Sequence, residues 1–78
     1  MEKENAKVAK VIDRSWLEQT RRIKGLRQAD VAAQCEISSS YYSRIERGLE
    51  VPNVGIGIKI ADVLGFDVRD WTREVSYN

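Results

Sequence analysis

The 78-residue chain contains no histidine, one cysteine, one proline and almost no net charge. Without histidine and with a single thiol, it lacks the groups from which nucleophile–base pairs and metal clusters are usually built, and no Gly-rich phosphate loop is present. Neither an enzyme nor a bound metal or cofactor is expected. The lone Cys35 has no partner for an internal disulfide and reads as a small buried hydrophobe. No stretch approaches the ~20 apolar residues that span a bilayer, and the polar start Met1-Glu-Lys-Glu-Asn5 lacks the apolar centre of a secretion signal. A cytoplasmic protein without membrane contact is the expectation.

Charge argues only weakly for a polyanionic partner. Thirteen Lys and Arg face twelve Asp and Glu, leaving +1, and 32% charged residues is also what an ordinary solvated surface carries. The distribution is more informative. Residues 1–48 hold ten basic and seven acidic residues, a net +3, whereas residues 49–78 hold three basic and five acidic, a net −2. A basic half can neutralise phosphates while the acidic half faces away or towards a partner. With 42% hydrophobic residues the chain is not a disordered tail. A single domain over residues 1–78 follows from its length, with a modest core, because so short a chain buries only about 60% of its unfolded surface. No repeat, linker or low-complexity tract is visible.

The segment from Gln28 to Gly48 reads as two short helices joined by a tight corner. Val31, Ala32 and Cys35 form a narrow apolar face on the first, and Tyr42 and Ile45, with Ile37 in the connection, close over it. Ala32 is small enough to let two crossed backbones approach. Ser38 suits an N-cap for the second helix and Gly48 a stop. The second segment turns Ser39, Ser40, Ser43, Arg44 and Arg47 outward, with Tyr41 beside them. This is the layout of a helix-turn-helix, and a hydrogen-bonding face of that kind can read base edges.

The chain resembles the repressor/Cro-like (Xre-type) helix-turn-helix family. The likeness lies in Arg21-x-x-Lys24-Gly25-Leu26-x-Gln28, in Ser38 to Gly48 with its Ser43-Arg44-Ile45-Glu46-Arg47-Gly48 ending, in Pro52, and in Lys59-Ile60-Ala61-Asp62-Val63-Leu64-Gly65-Phe66. It covers roughly residues 13 to 72. The resemblance implies an all-α, compact five-helix DNA-binding domain with the motif at about 28–47. The first helix is expected from about 6 to 24, its stripe running through Val8, Val11, Ile12, Trp16, Gln19 and Ile23. C-terminal helices are expected at about 53–64, capped by Asn53, and at about 67–75, started by Asp67. Pattern alone favours a strand over Val54 to Ile60, which alternates with period two and is rich in β-branched residues. The resemblance favours a helix there.

The resemblance also distributes roles. Ser39, Ser40 and Arg44 fall where the family contacts base edges. Arg44 can grip guanine O6 and N7 with two hydrogen bonds, whereas the serine hydroxyls suit a base, a phosphate or water. Gln28, at the start of the first motif helix, falls on a phosphate-holding position, and Lys24, Arg27, Tyr41, Ser43 and Arg47 are further candidates for backbone contact. Arg21 and Glu46 match a structural ion pair across the joint between the first helix and the recognition helix. Four residues depart from the pattern. Arg27 stands where a capping Ser or Thr is usual, Glu36 replaces the turn glycine, and Asp13 and Thr20 replace apolar residues.

One recognition helix covers few base pairs, so a homodimer on double-stranded DNA with half-sites about 34 Å apart is expected. Trp71, Val75 and Tyr77 are candidates for the dimer surface, with core packing an equal alternative for Trp71 and Phe66. The resulting reading is a transcriptional regulator, specifically a repressor, controlled by its concentration, a protein partner or proteolysis because no sensing domain accompanies the motif. The alternative is a protein-interaction module of the same fold, such as an antitoxin or bridging factor.

Overall fold

The computed structural model describes residues 12–74. It comprises α1 (Ser15–Ile23), α2 (Gln28–Cys35), α3 (Ser39–Glu46), α4 (Val54–Leu64) and a closing 3-10 helix at Val68–Glu74. No strand occurs among the described residues. The core is Leu17 of α1, Val31, Ala32 and Cys35 of α2, Tyr42 and Ile45 of α3, and Ile60 and Leu64 of α4. α2 packs on α3 and α4, α1 on α3, and α4 carries the 3-10 helix. Ala32 is buried at the α2–α3 corner, where its single methyl keeps the two helices close.

The first helix differs from the expected span. Residues 12–14 are not helical, and the helix begins at Ser15; residues 6–11 lie outside the described residues. Two bonds, one local and one long-range, account for the late start. The Asp13 carboxylate accepts from the Ser15 N–H at 3.0 Å, a side-chain bond that competes with helix at this position. The Ile12 N–H donates to the Gly48 carbonyl at 3.1 Å, drawing this part of the chain to the end of α3. The inward face is also rotated from the expected stripe. Leu17 and Arg21 are buried, while Gln19 is exposed and Ile23 is 86% exposed.

The segment from Val54 to Ile60 is helical. Gly57, Ile60, Ala61 and Leu64 fall at i, i+3, i+4 and i+7, form one buried stripe, and outweigh the period-two alternation, which leaves Val54 and Ile58 exposed. The Asn53 side chain accepts from the Ile56 N–H at 2.9 Å and caps the helix. Gly57 has a packing reason. The Trp71 indole donates to its carbonyl at 3.0 Å, and a Cβ there would stand 3.3 Å from the indole nitrogen.

The last helix is of 3-10 type rather than an α-helix. Asp67 bonds the Arg69 N–H through its side chain at 2.8 Å and the Asp70 N–H through its carbonyl at 2.7 Å, tight local closures that favour three residues per turn. Trp71, Trp16 and Phe66 meet edge to face, with ring centroids 5.1–5.6 Å apart. This cluster seals the end of the core between α1, α4 and the 3-10 helix.

At the α2–α3 corner Glu36 adopts φ 62°, ψ 39°, and is the one non-glycine residue with positive φ among the described residues. Its N–H and that of Ile37 return to the carbonyls of Ala33 and Ala32 at 3.1 and 3.0 Å, so the turn is fully bonded despite the strained residue. The strain amounts to about 1–2 kcal/mol.

Candidate nucleic-acid interface

Helix α3 is anchored from below by one carboxylate. Glu46, buried on its inner face, receives Arg21 Nε on Oε2 at 2.7 Å and Arg21 Nη2 on Oε1 at 3.0 Å. Gln28 Nε2 donates to Oε1 at 2.7 Å and the Tyr42 hydroxyl to Oε2 at 2.9 Å. Arg21 also reaches the Leu26 carbonyl at 2.9 Å. A single side chain of α3 thus ties together α1, the α1–α2 turn and the first residue of α2. Burial by itself favours the protonated acid, but the donors from Arg21, Gln28 and Tyr42 outweigh it and hold the carboxyl below its ordinary value. Burial, reinforced by the Glu46 charge, pushes the Tyr42 phenol far up, so it remains a donor. The hydrogen bond to Glu46 raises the Arg21 guanidinium further still.

The start of α2 is firmer than Arg27 alone provides. Asp30, three residues on, accepts from the Arg27 N–H at 2.8 Å and from its guanidinium at 3.0–3.1 Å. The hydrogen bonds from the Arg27 side chain and backbone hold the Asp30 carboxyl below its ordinary range. An acid in the third helical position supplies the reciprocal half of a capping box by accepting from the N-cap N–H, and its charge suits the positive end of the helix.

On the outer side of α3, Ser40, Arg44 and Arg47 stand four and three residues apart, opposite buried Tyr42 and Ile45. Ser39, Ser40 and Arg47 are exposed, and Ser43 and Arg44 partly so. The helix is started by Ser38, whose hydroxyl accepts from the Tyr41 N–H at 3.1 Å and lies 3.4 Å from the Ser40 hydroxyl. Arg44 lies over the Tyr41 ring, 5.7 Å from its centroid, with Nε 3.3 Å from a Glu50 carboxylate oxygen. Lys24 and Arg27 are exposed at the end of α1 and the start of α2. Gln28 is half-buried, with its amide directed into the Glu46 network rather than outward.

Trp71 is half-buried in the aromatic cluster, with its indole N–H satisfied by Gly57. Val75 and Tyr77 lie outside the described residues. The sequence reading missed Arg14, Asp30 and Glu50. Arg14 is only 3% exposed, lies over the Trp71 ring at 5.2 Å, and donates from Nη1 to the carbonyls of Ile45 and Glu50. Nothing in its local sequence marks it as interior. Asp30 carries a readable signal, an acid three residues after the N-cap position. Among the described residues no three of His, Cys, Asp and Glu gather where they could hold a metal ion, and no helix is long and apolar enough to cross a membrane.

A helix-turn-helix family model matches residues 17–71. An uncharacterized HTH-type transcriptional regulator of Bacillus subtilis (strain 168), YqaF, is 42% identical over 59 residues, which span 76% of this chain and 74% of that protein. No solved structure matches.

Proposed function

Because the chain belongs to the helix-turn-helix family, we propose that it is a sequence-specific DNA-binding regulator of transcription that acts as a repressor, as a homodimer on a two-fold symmetric operator. The observation that carries the reading is the outward face of α3. Ser39, Ser40 and Arg44 stand on a helix whose inner side is locked to α1 and α2 through Glu46, and a rigidly held donor set of this kind loses little freedom on meeting base edges. Arg44 reads guanine, and Ser39 and Ser40 contact a base or a neighbouring phosphate. Lys24, Arg27, Tyr41, Ser43 and Arg47 flank that face as phosphate contacts. Gln28 holds a phosphate with the amide hydrogen that Glu46 does not take.

The homodimer places two copies of α3 about one DNA turn apart. Trp71, Val75 and Tyr77 form its surface, Trp71 through the part of its ring that the aromatic cluster leaves uncovered. A protein-interaction role has one observation in its favour, a groove of about 260 Å³ lined by Arg14, Val51, Pro52, Val54, Val68 and Trp71 among others. The same groove suits the second copy of a dimer. Selection of bound duplexes from a random library at stated salt distinguishes the two. A two-fold symmetric motif supports the regulator, and no enrichment over non-specific binding overturns it.

A further inference from the structure

The Arg44 side chain is restrained at two places, and the restraints leave one edge available. Its Nε faces the Glu50 carboxylate at 3.3 Å, and one face of its guanidinium lies on Tyr41. Among the described residues its two terminal amino groups have no hydrogen-bond partner. These are the two parallel donors that guanine O6 and N7 accept end-on. The residue that restrains it is itself held. The α3–α4 loop carrying Glu50 is bonded back to the end of α3 through Gly48 N–H to the Ile45 carbonyl (3.0 Å) and Leu49 N–H to the Arg44 carbonyl (2.9 Å). Arg14, buried beneath the loop, donates to the Glu50 carbonyl at 3.2 Å and also to the Ile45 carbonyl. The loop is held further where the Ile12 N–H meets the Gly48 carbonyl.

We propose that Glu50, outside the helix-turn-helix segment proper, is a specificity-determining positioning residue: its carboxylate holds Arg44 Nε so that the terminal amino groups point as a pair at one guanine. The inference deepens the DNA-binding reading and rests on it. An unrestrained arginine on a solvated helix face has many rotamers, and it can slide between a base and a phosphate. One already held at Nε gives up less freedom on binding and is steered from the phosphate towards the base. Stability is not the purpose of the pair. The two side chains are 44% and 40% exposed, a setting in which ion pairs contribute little to folding. The carboxylate also repels DNA phosphates, so its presence beside a reading arginine is a disadvantage for affinity that orientation offsets.

The test uses the full chain and duplexes taken from random-library selection, with all four bases placed in turn at the position whose preference Arg44→Ala abolishes. The wild type prefers guanine there. Glu50→Ala lowers that preference by about tenfold, within the range a bidentate contact supplies. It leaves binding to unselected duplex equal or tighter, because a negative charge has been removed. Glu50→Gln, whose amide oxygen still accepts from Nε, keeps the preference to within about threefold. If Glu50→Ala keeps the wild-type guanine preference while Arg44→Ala loses it, Glu50 does not position Arg44. A Glu50→Ala variant that weakens every sequence alike likewise overturns the proposal, since the guanine preference is then unchanged. A variant that tightens every sequence alike without altering preference shows a merely repulsive carboxylate and overturns it too. Failure of the wild type to select any sequence removes the DNA-binding reading itself, a separate outcome.

Discussion

Replacing Arg21 by alanine removes the strongest donor from a buried carboxylate. The two side chains are 10% and 4% exposed and meet through two bonds of 2.7 and 3.0 Å, so solvent cannot take over the arginine's role. Removing one partner of a buried pair costs about 3–5 kcal/mol. The lower end applies, because Gln28 and Tyr42 still donate to Glu46. A domain of this size has about 4–12 kcal/mol of stability in all, so a loss of about 3 kcal/mol removes a large share. It corresponds to a fall in Tm of about 12–24 °C. Urea unfolding followed by far-UV circular dichroism measures the loss at neutral pH and again towards about pH 4.

The acid limb carries a second signature of the same contact. Glu46 titrates below its ordinary value in the folded protein, so the stability it contributes is complete above the unfolded pKa and is lost as the pH falls through the folded one. Without Arg21 the burial of Glu46 is opposed only by Gln28 and Tyr42, the depression shrinks, and the acid loss becomes shallower than in the wild type. A variant that loses less than about 1 kcal/mol and keeps the wild-type acid profile would refute the reasoning, because that is how an exposed pair behaves.

The remaining stability predictions concern backbone strain. Glu36→Gly relieves the positive φ at the α2–α3 corner and stabilises the domain by about 0.5–1 kcal/mol in thermal unfolding, after the looser unfolded state and the exposed Lys59 contact are discounted; an unchanged or lower Tm contradicts it. Gly25→Ala and Gly48→Ala both place a side chain at positive φ, near 74° and 80°, but an added Cβ meets nothing within 4 Å at Gly25 and lies 1.8 Å from the Ile12 carbonyl oxygen at Gly48. The first therefore costs about 1 kcal/mol and the second about 3 kcal/mol or more. Equal losses at the two sites would show that the Ile12–Gly48 contact is not rigid.

The corner itself was legible because its residues obey simple rules. Val31, Ala32, Cys35, Tyr42 and Ile45 are apolar at helical spacing, and all are buried. Where polar residues occupy the interior the same rules mislead. The inner face of α1 includes Arg21, which counts as a surface residue in any hydrophobic stripe, and the expected stripe therefore ran through Gln19 and Ile23 instead. Arg14 escaped notice for the same reason, since its burial depends on carbonyls 31 and 36 residues away in sequence. In α4 two glycines and an accidental alternation of β-branched residues mimicked a strand, and only the buried run Gly57, Ile60, Ala61 and Leu64 reveals the helix. The outward residues of α3 could be named from the sequence. The grip of Glu50 on Arg44 could not, because the loop between them closes only in three dimensions.

Equilibrium binding of Arg44→Ala, compared with the wild type on a selected duplex and on its single-base variants, tests most directly whether the outer face of α3 reads sequence. The account predicts that discrimination relaxes by about 5- to 150-fold at one position in each half-site, with the other positions discriminated as before. Equal weakening on every duplex, with no position relaxed, would make Arg44 a phosphate contact and contradict the account.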